Sequence, residues 1–232
     1  MTLEADTFNA YIDGFNLYKG ALEPFPEYKW LNLISLCKTL MPSKTLGQIY
    51  YFTASVKERY KGDDAPRRQH TYLRVLESQG IKVIRGQFRK DQYRMRIVSN
   101  LRADLLEPQL PSHFGFTQAA LDKSARIADP DSPRAHVYKM EEKGSDVNLA
   151  SYLLRDSFKA NMDAALVITG DSDLVTPIKF AVQEGVSVKV LVPNRFLKAG
   201  ALEDAATSIE KLNPLLLAEH QLQNPYLSPN NT

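Results

Sequence analysis

The 232-residue chain carries 29 lysines and arginines against 27 aspartates and glutamates, for a net charge of +2. Its 44% hydrophobic and 24% charged residues are typical of a globular protein, and the length allows one α/β domain with a sizeable core. The single cysteine, Cys37, excludes an intramolecular disulfide and a cysteine-based zinc motif, while the absence of a signal peptide pattern or an 18-residue apolar run predicts a cytoplasmic protein with no membrane span.

Strand-like and helix-like patterns alternate in the first part of the chain. We expect a strand over residues 8–13, a turn at 14–16, a helix over 30–40, a strand over 46–53 and a helix over 64–79. Asp64 is the predicted N-cap of this second helix, and Gly80 is predicted to end it.

The middle of the chain is less regular, and alternation returns after it. The patterns predict a strand over 81–86, a hairpin or exposed strand over 87–98, a long loop over 102–134, strands over 135–140, 164–169 and 186–193, and helices over 145–160 and 173–185. Continuous apolar strands predict a mainly parallel sheet covered on both faces, hence a three-layer α/β/α sandwich. We expect one domain over 1–220 with a basic, irregular insertion around 86–134, and a disordered tail over 221–232.

Aspartates stand where the predicted strands give way to helices. Asp13 ends the first strand, Asp171 and Asp173 follow the strand over 164–169, and Asp146 lies in the first turn of the helix over 145–160. Ligands of open α/β sheets bind at the carboxyl ends of the strands, so these carboxylates can converge although they are distant in sequence.

The aspartates can be interpreted as helix caps or as metal ligands. An acid at a helix start often caps the helix or complements its dipole, and Asp146, Asp171 and Asp173 could each do so. Asp13 ends an apolar strand, where no local feature needs a charge. Four carboxylates at one edge would repel one another without a cation, and oxygen ligands favour Mg²⁺ or Mn²⁺, so we predict a metal site.

The same segments resemble a known family. YIDGFNLY, then EEKGSDVNLASYLLRDSF, then ALVITGDSDLVTPIKFAVQEGVSVKVLVP are similar, in this order, to the LabA/NYN family of PIN-like nucleases. The resemblance implies a PIN-like Rossmannoid fold, Mg²⁺ or Mn²⁺ at an acidic site, and phosphodiester hydrolysis of RNA. Some relatives carry a cysteine-rich insertion in the middle, which this chain lacks.

The resemblance also implies roles for single residues. Asp13, Asp146, Asp171 and Asp173 take the catalytic acidic positions: the first three would hold the metal directly, and Asp173 would complete the set through water or orient the attacking water. Asn16 matches the family's asparagine and could bind a phosphate oxygen or fix Asp13, or be a turn residue. Lys143 matches the family's lysine. It could balance the charge of the acids or contact the scissile phosphate, or it could be a solvated charge.

A basic stretch lies between these motifs. Residues 57–102 hold thirteen lysines and arginines against five acids, a net +8, which leaves −6 for the remainder. Cations can follow a phosphate backbone while exposed aromatic rings stack on unpaired bases, although a solvated face is the alternative, and Tyr60 and Tyr72 could be core residues. The predicted RNA contacts are Arg67, Arg68, Arg89 and Lys90.

Other function classes explain the sequence less well. A non-catalytic RNA-binding module on the same fold is the alternative, which the complete set of four acids disfavours. A haloacid-dehalogenase phosphatase would need an acid at position 15, which is Phe15, and no glycine-rich phosphate loop occurs. We therefore predict a metal-dependent endoribonuclease acting on RNA, and a homodimer is compatible with the sequence.

Overall fold

The computed structural model describes residues 6–58, 60–96, 134–194 and 196–223. The chain divides into two compact units, the larger made of Met1–Phe88 with Glu142–Thr232, and the smaller of Arg89–Glu141. The larger unit contains the central sheet and its helices, and the smaller contains the ends of two strands. No helix within the described residues has the length and apolar character needed to cross a bilayer.

The sheet has seven strands in the order β4-β3-β2-β1-β5-β6-β7. The strands are β1 (Thr7–Asp13), β2 (Thr45–Ala54), β3 (Lys82–Arg96), β4 (Arg134–Lys143), β5 (Ala164–Ile168), β6 (Ser187–Val192) and β7 (Ser208–Lys211). The pairs from β3 across to β7 are parallel. From β1 the chain moves outward to β2 and β3 and later returns to β5 on the other side of β1, so the strand order reverses at the β1–β5 crevice.

Helices cover both faces of the sheet. They are α1 (Gly14–Leu17), α2 (Leu33–Leu40), α3 (Ala65–Ser78), α4 (Ser145–Phe158), α5 (Val175–Gln183), α6 (Gly200–Glu203) and α7 (Pro214–Glu219). One core cluster joins Ile12 to side chains of α2, α3 and α7, and the other joins Tyr11 to side chains of α4, α5 and α6. Adjacent residues of β1 thus face opposite layers, and the predicted α/β/α sandwich with a mainly parallel sheet is confirmed.

The start of two helices differs from the sequence-based expectation. The predicted turn at 14–16 is wrong, because these residues form α1, whose N-cap is Asp13. A buried carboxylate that accepts from the helix amides favours a helical turn there over a free turn. At α3, Asp64 occupies the N-cap position without a capping hydrogen bond, and Asp63 instead accepts from the amide of Ala65 at 3.1 Å.

Other elements were merged, divided or missed. The strand predicted over 81–86 and the hairpin or exposed strand predicted over 87–98 form, within the described residues, one long strand, β3 (Lys82–Arg96). The helix predicted over 173–185 begins as a separate 3₁₀ turn, Ser172–Leu174. Three short elements, α6, β7 and α7, were not predicted. Expectations for residues 97–133 and 224–232 lie outside the described residues. Cys37 is a buried core residue as expected, and its burial raises the pKa of its thiol to about 12.

Candidate active site at the carboxyl edge of the sheet

The predicted acids lie around the point where the strand order reverses. Asp13 is the last residue of β1 and pairs with Phe52 of β2, while Ile12 pairs with Ile168, the last residue of β5. Both strands run in the same direction, so the loops that follow them start side by side. Asp13 and the Asp171–Asp173 segment, far apart in sequence, therefore share one end of the crevice.

Asp13 is held firmly although it is buried. Its side chain is only 2% exposed, and its Oδ1 accepts from the backbone amide of Asn16 at 2.9 Å. Its Oδ2 accepts from Asn16 Nδ2 at 2.6 Å and from the hydroxyl of Thr169 at 3.3 Å. A buried carboxylate is tolerated only with such partners, so these hydrogen bonds keep the acid in place beneath the edge of the sheet.

Asn16 and Thr169 connect the loops after β1 and β5. Besides its bonds to Asp13, Asn16 accepts from the amide of Gly170 at 3.3 Å through its Oδ1. The hydroxyl of Thr169, which is fully buried, accepts from the amide of Asp171 at 3.1 Å. Of the roles considered for Asn16, contact with Asp13 is the one present in the structure. The sequence offered only the DGFN pattern for Asn16, and no signal separated Thr169 from a turn residue.

Asp171 and Asp173 occupy different positions in the same turn after β5. Asp171 is the N-cap of the 3₁₀ turn Ser172–Leu174, and its Oδ1 accepts from the amide of Asp173 at 2.9 Å. Asp171 therefore caps this turn, as one of the two interpretations of the aspartates predicted. Asp173 lies inside the turn, which leaves its carboxylate for other partners, and it lines a groove together with Asp146.

Asp146 is brought to the site by two glycines. The N-cap of α4 is Gly144, with a φ of +94° that L side chains rarely adopt, and this residue turns the chain from β4 into the helix. Gly86 of β3 lies directly beneath: a Cβ added there would come within 2.7 Å of the carbonyl oxygen of Lys143 and 2.9 Å of Ser145 Oγ. The start of α4 can lie against β3 because position 86 has no side chain.

The pKa of Asp146 responds to the charges of the other three acids. The pKa of Asp146 is raised to about 6, first because its carboxyl loses hydration and then because of the charges of Asp13, Asp171 and Asp173. Asp146 occupies the first turn of α4, and α4 has no side-chain capping bond. Since like charges raise the pKa of a carboxyl, the structure places the predicted acids within electrostatic reach of one another.

The donor chemistry suits a hard divalent cation, although the carboxylates are not drawn together. Across the described ranges, no three histidine, cysteine, aspartate or glutamate side chains stand close enough to hold one ion. The cluster nevertheless consists of carboxylates alone, the ligand type that Mg²⁺ and Mn²⁺ prefer, and their mutual repulsion is what a cation would relieve. The residues present therefore fit such an ion in their donor chemistry, whereas their present spacing does not form a closed coordination site.

The predicted RNA contacts are distributed over two units. Arg67 and Arg68 are exposed in the first turn of α3, and Arg68 forms an ion pair with Asp64. Arg89 and Lys90 belong to the smaller unit, and their side chains lie outside the described part of the structure. Lys143, the last residue of β4, is exposed.

Tyr60 and Tyr72 of the basic stretch have different environments. Tyr60 is 66% exposed, whereas the hydroxyl of Tyr72 donates to the carbonyl of Leu31 at 2.8 Å and its ring meets Trp30 and Tyr51 edge-on. Tyr72 is therefore a core residue, and Tyr60 is a surface ring, as is Tyr93 of the same stretch.

An open, mainly parallel sheet with polar side chains at its reversal point defines an α/β protein with a ligand site at the carboxyl ends of its strands. The NYN domain model matches residues 9–213, and the chain belongs to the NYN domain family of the PIN-like nuclease superfamily.

Two similar proteins add different information. The chain is 31% identical over 237 residues to 6-hydroxy-3-succinoylpyridine 3-monooxygenase HspA of Pseudomonas putida (strain DSM 28022 / S16). The alignment covers 91% of this chain and 69% of that protein. The crystal structure of a protein of unknown function from Vibrio parahaemolyticus matches with a TM-score of 0.52 and 13% identity, over 96% of this chain and 99% of that one. The second likeness shows the fold alone.

Proposed function

We propose that the protein is a metal-dependent endoribonuclease that hydrolyses phosphodiester bonds of single-stranded RNA. The observation that carries the proposal is the position of Asp13, Asp146, Asp171 and Asp173 at the reversal point of an NYN fold, where the charges of the other three acids help to raise the pKa of Asp146. Binding of negatively charged RNA beside a cluster of carboxylates is favourable only if a cation is bound there as well.

Asp13, Asp146 and Asp171 would hold Mg²⁺ or Mn²⁺ after moving closer together around the ion, since no three acids of the described residues stand close enough to hold one in the present arrangement. When bound, the ion would stabilise the charge that develops on a phosphodiester during hydrolysis. Asn16 and Thr169 are positioning residues in this proposal, because both donate to Asp13 and neither brings a carboxylate to the site.

Asp173 is proposed to accept the proton of the attacking water. Its backbone amide is fixed by Asp171, and its side chain lies at the end of a groove where a substrate can approach. Arg67, Arg68, Arg89 and Lys90 are proposed to hold the RNA backbone, and Lys143 the phosphate beside the acids. We further propose that the enzyme acts in the cytoplasm. A homodimer would be compatible with this activity.

The test is cleavage of a panel of single-stranded RNAs with Mn²⁺, Mg²⁺ or EDTA. We expect wild type to cut with either ion and not with EDTA. Asp13→Asn and Asp171→Asn should lower the rate at least about 100-fold, as expected when a group that stabilises transition-state charge is lost. Glu184→Gln is the matched control, because it removes an exposed carboxylate at the far end of α5 and should leave the rate unchanged.

Three outcomes would contradict the proposal. Equal cleavage by wild type and Asp13→Asn would show that the acids are not the active site. Activity in EDTA would exclude the metal. Tight, salt-dependent binding of RNA without any cleavage would favour a non-catalytic RNA-binding module on the same fold.

A second candidate is favoured by one comparison. The relative from Pseudomonas putida is named as a monooxygenase of 6-hydroxy-3-succinoylpyridine, and its similarity extends over 91% of this chain. The direct test is incubation of the protein with this pyridine, oxygen and a reductant, followed by analysis of the products. Turnover of the pyridine without RNA cleavage would support an oxygenase and contradict the nuclease proposal.

A further inference from the structure

A groove runs from the acidic cluster between α4 and α5. It has a volume of about 320 Å³, and Asp146 and Asp173 form one end of it. Its walls are apolar, with Val147 and Leu154 from α4 and Pro177 and Phe180 from α5 among the residues that line it. The groove is therefore continuous with the proposed active site and lies wholly within the larger unit.

Two of the lining side chains are unusually open to solvent for their type. Val147 is 69% exposed and Phe180 is 47% exposed, although both belong to helices that pack against the sheet. An exposed ring beside a polar site is typical of surfaces that bind a ligand. The groove thus has the partly exposed ring of Phe180 on the α5 wall and the branched side chain of Val147 on the α4 wall.

The polar groups of the groove restrict what can bind there. Asp146 and Asp173 offer carboxylate oxygens, which accept hydrogen bonds and repel anions, and Thr176 adds a hydroxyl. The ligand that fits has apolar faces and N–H donors at its edge, and it carries no negative charge inside the groove. Nucleobases have these properties, since each has a π-face and several present N–H groups.

We propose that this groove binds one nucleobase of the RNA, next to the phosphate that is cut, with Phe180 stacking on the base. The proposal deepens the nuclease function stated above and rests on it. The size of the groove agrees with a single ring system, since sites for small molecules have volumes of roughly 300–1,000 Å³. A stable protein interface instead needs roughly 800 Å² from each partner, which a groove of this size does not provide.

The experiment measures binding without cleavage. Fluorescence anisotropy with Ca²⁺ in place of Mg²⁺ or Mn²⁺, under conditions in which the labelled RNA is first shown to stay intact, would give the affinity for a 12-residue RNA and for a series in which each position in turn is abasic. For wild type, we expect one abasic position to weaken binding about 5- to 150-fold, the effect of losing one stacked base. Phe180→Ala should weaken binding of the intact RNA by a similar factor, and the abasic change at that position should then add nothing.

Two further variants keep the test independent of folding. Phe158→Ala is the matched control, since Phe158 is 63% exposed on α4 and is absent from the groove lining, and it should bind as wild type does. Val147→Ala changes the opposite wall and should weaken binding at the same RNA position as Phe180→Ala.

The proposal of a base site would be overturned if Phe180→Ala bound the intact RNA as tightly as wild type does. It would also be overturned if Phe180→Ala and an abasic change weakened binding independently of each other at every RNA position. A dimer that Phe180→Ala converts to monomer in sedimentation would also overturn it, because a second copy would then occupy the groove. The nuclease proposal fails separately: RNA that binds through Phe180 and is never cut contradicts cleavage and leaves the base site intact.

Discussion

At the scale of single residues, the acids depend on neutral neighbours. Asp13 is 2% exposed and accepts hydrogen bonds from Asn16 and Thr169, each of which also bonds to the loop after β5. Hydrogen bonds to charged groups contribute roughly 1.5–3 kcal/mol each, which is enough to keep one rotamer of a buried carboxylate. Asp146 has the opposite environment, where lost hydration and repulsion work against its charge.

This difference predicts how stability depends on pH in the absence of metal. The pKa of Asp146 is about 6 in the folded protein, above the value near 4 of an unfolded chain. Protonation of Asp146 therefore favours the folded state below about pH 4, and this stabilisation is lost as the pH rises through about 6. We expect Asp146→Asn to have a higher Tm than wild type at pH 7.5 in EDTA and a similar Tm at pH 4.5.

Thermal denaturation of both proteins across this range checks the expectation. Glu184→Gln serves again as the control, and its Tm should follow that of wild type at every pH. If the difference between Asp146→Asn and wild type does not change with pH, the carboxyl of Asp146 does not feel its acidic neighbours.

At the scale of elements, the position of α4 depends on Gly86. A methyl group there would meet the carbonyl oxygen of Lys143 at 2.7 Å, a backbone atom that cannot rotate away. We expect Gly86→Ala to displace the start of α4, to lower the free energy of unfolding by about 1–3 kcal/mol, and to slow RNA cleavage because Asp146 moves with the helix. Chemical denaturation and the cleavage assay measure the two effects.

Gly200→Ala is the matched control, since no atom lies within 4 Å of a Cβ built at position 200 and the residue starts α6. It should leave both stability and cleavage near the wild-type values. Equal behaviour of the two variants would show that the contact between β3 and α4 does not set the site.

The elements also show what could be predicted from the sequence. The continuous apolar runs of β1, β5 and β6 predicted a buried parallel sheet, and strand ends followed by acids predicted where ligands bind. Periodicity could not reveal Thr169, because its hydroxyl connects Asp171, two positions along, with Asp13, which lies 156 positions away. The short elements α6, β7 and α7 were missed since four to six residues carry too little pattern.

At the scale of the whole molecule, the charge is unevenly distributed. The stretch over 57–102 carries a net +8, against −6 for the remainder, which contains the acidic cluster. Part of the positive charge is used internally, since Arg68 pairs with Asp64 and Arg85 with Glu77. Both acids lie within the same stretch and are already subtracted in its net +8, which is the charge that can contribute to RNA binding.

The salt dependence of RNA binding measures that contribution. Each lost contact with a phosphate of a single strand should flatten the slope of log K against log salt by about 0.7. We expect the double variant Arg67→Gln, Arg68→Gln to lower the slope by about that amount or twice it, while Lys159→Gln, at the C-cap of α4, leaves it unchanged. A slope equal to wild type would remove the start of α3 from the RNA path.

The hydrogen bonds that join Asp13 to the loop after β5 also bear on how the protein is made. Thr169, to which Asp13 is bonded, is synthesised 156 residues after Asp13. Until that loop has been made, the growing chain contains Asp13 and Asp146 without Asp171 and Asp173. If the protein is the nuclease proposed above, its acidic cluster is incomplete throughout the synthesis of this intervening segment, and the order in which the acids appear keeps the nascent chain from cutting RNA during that time.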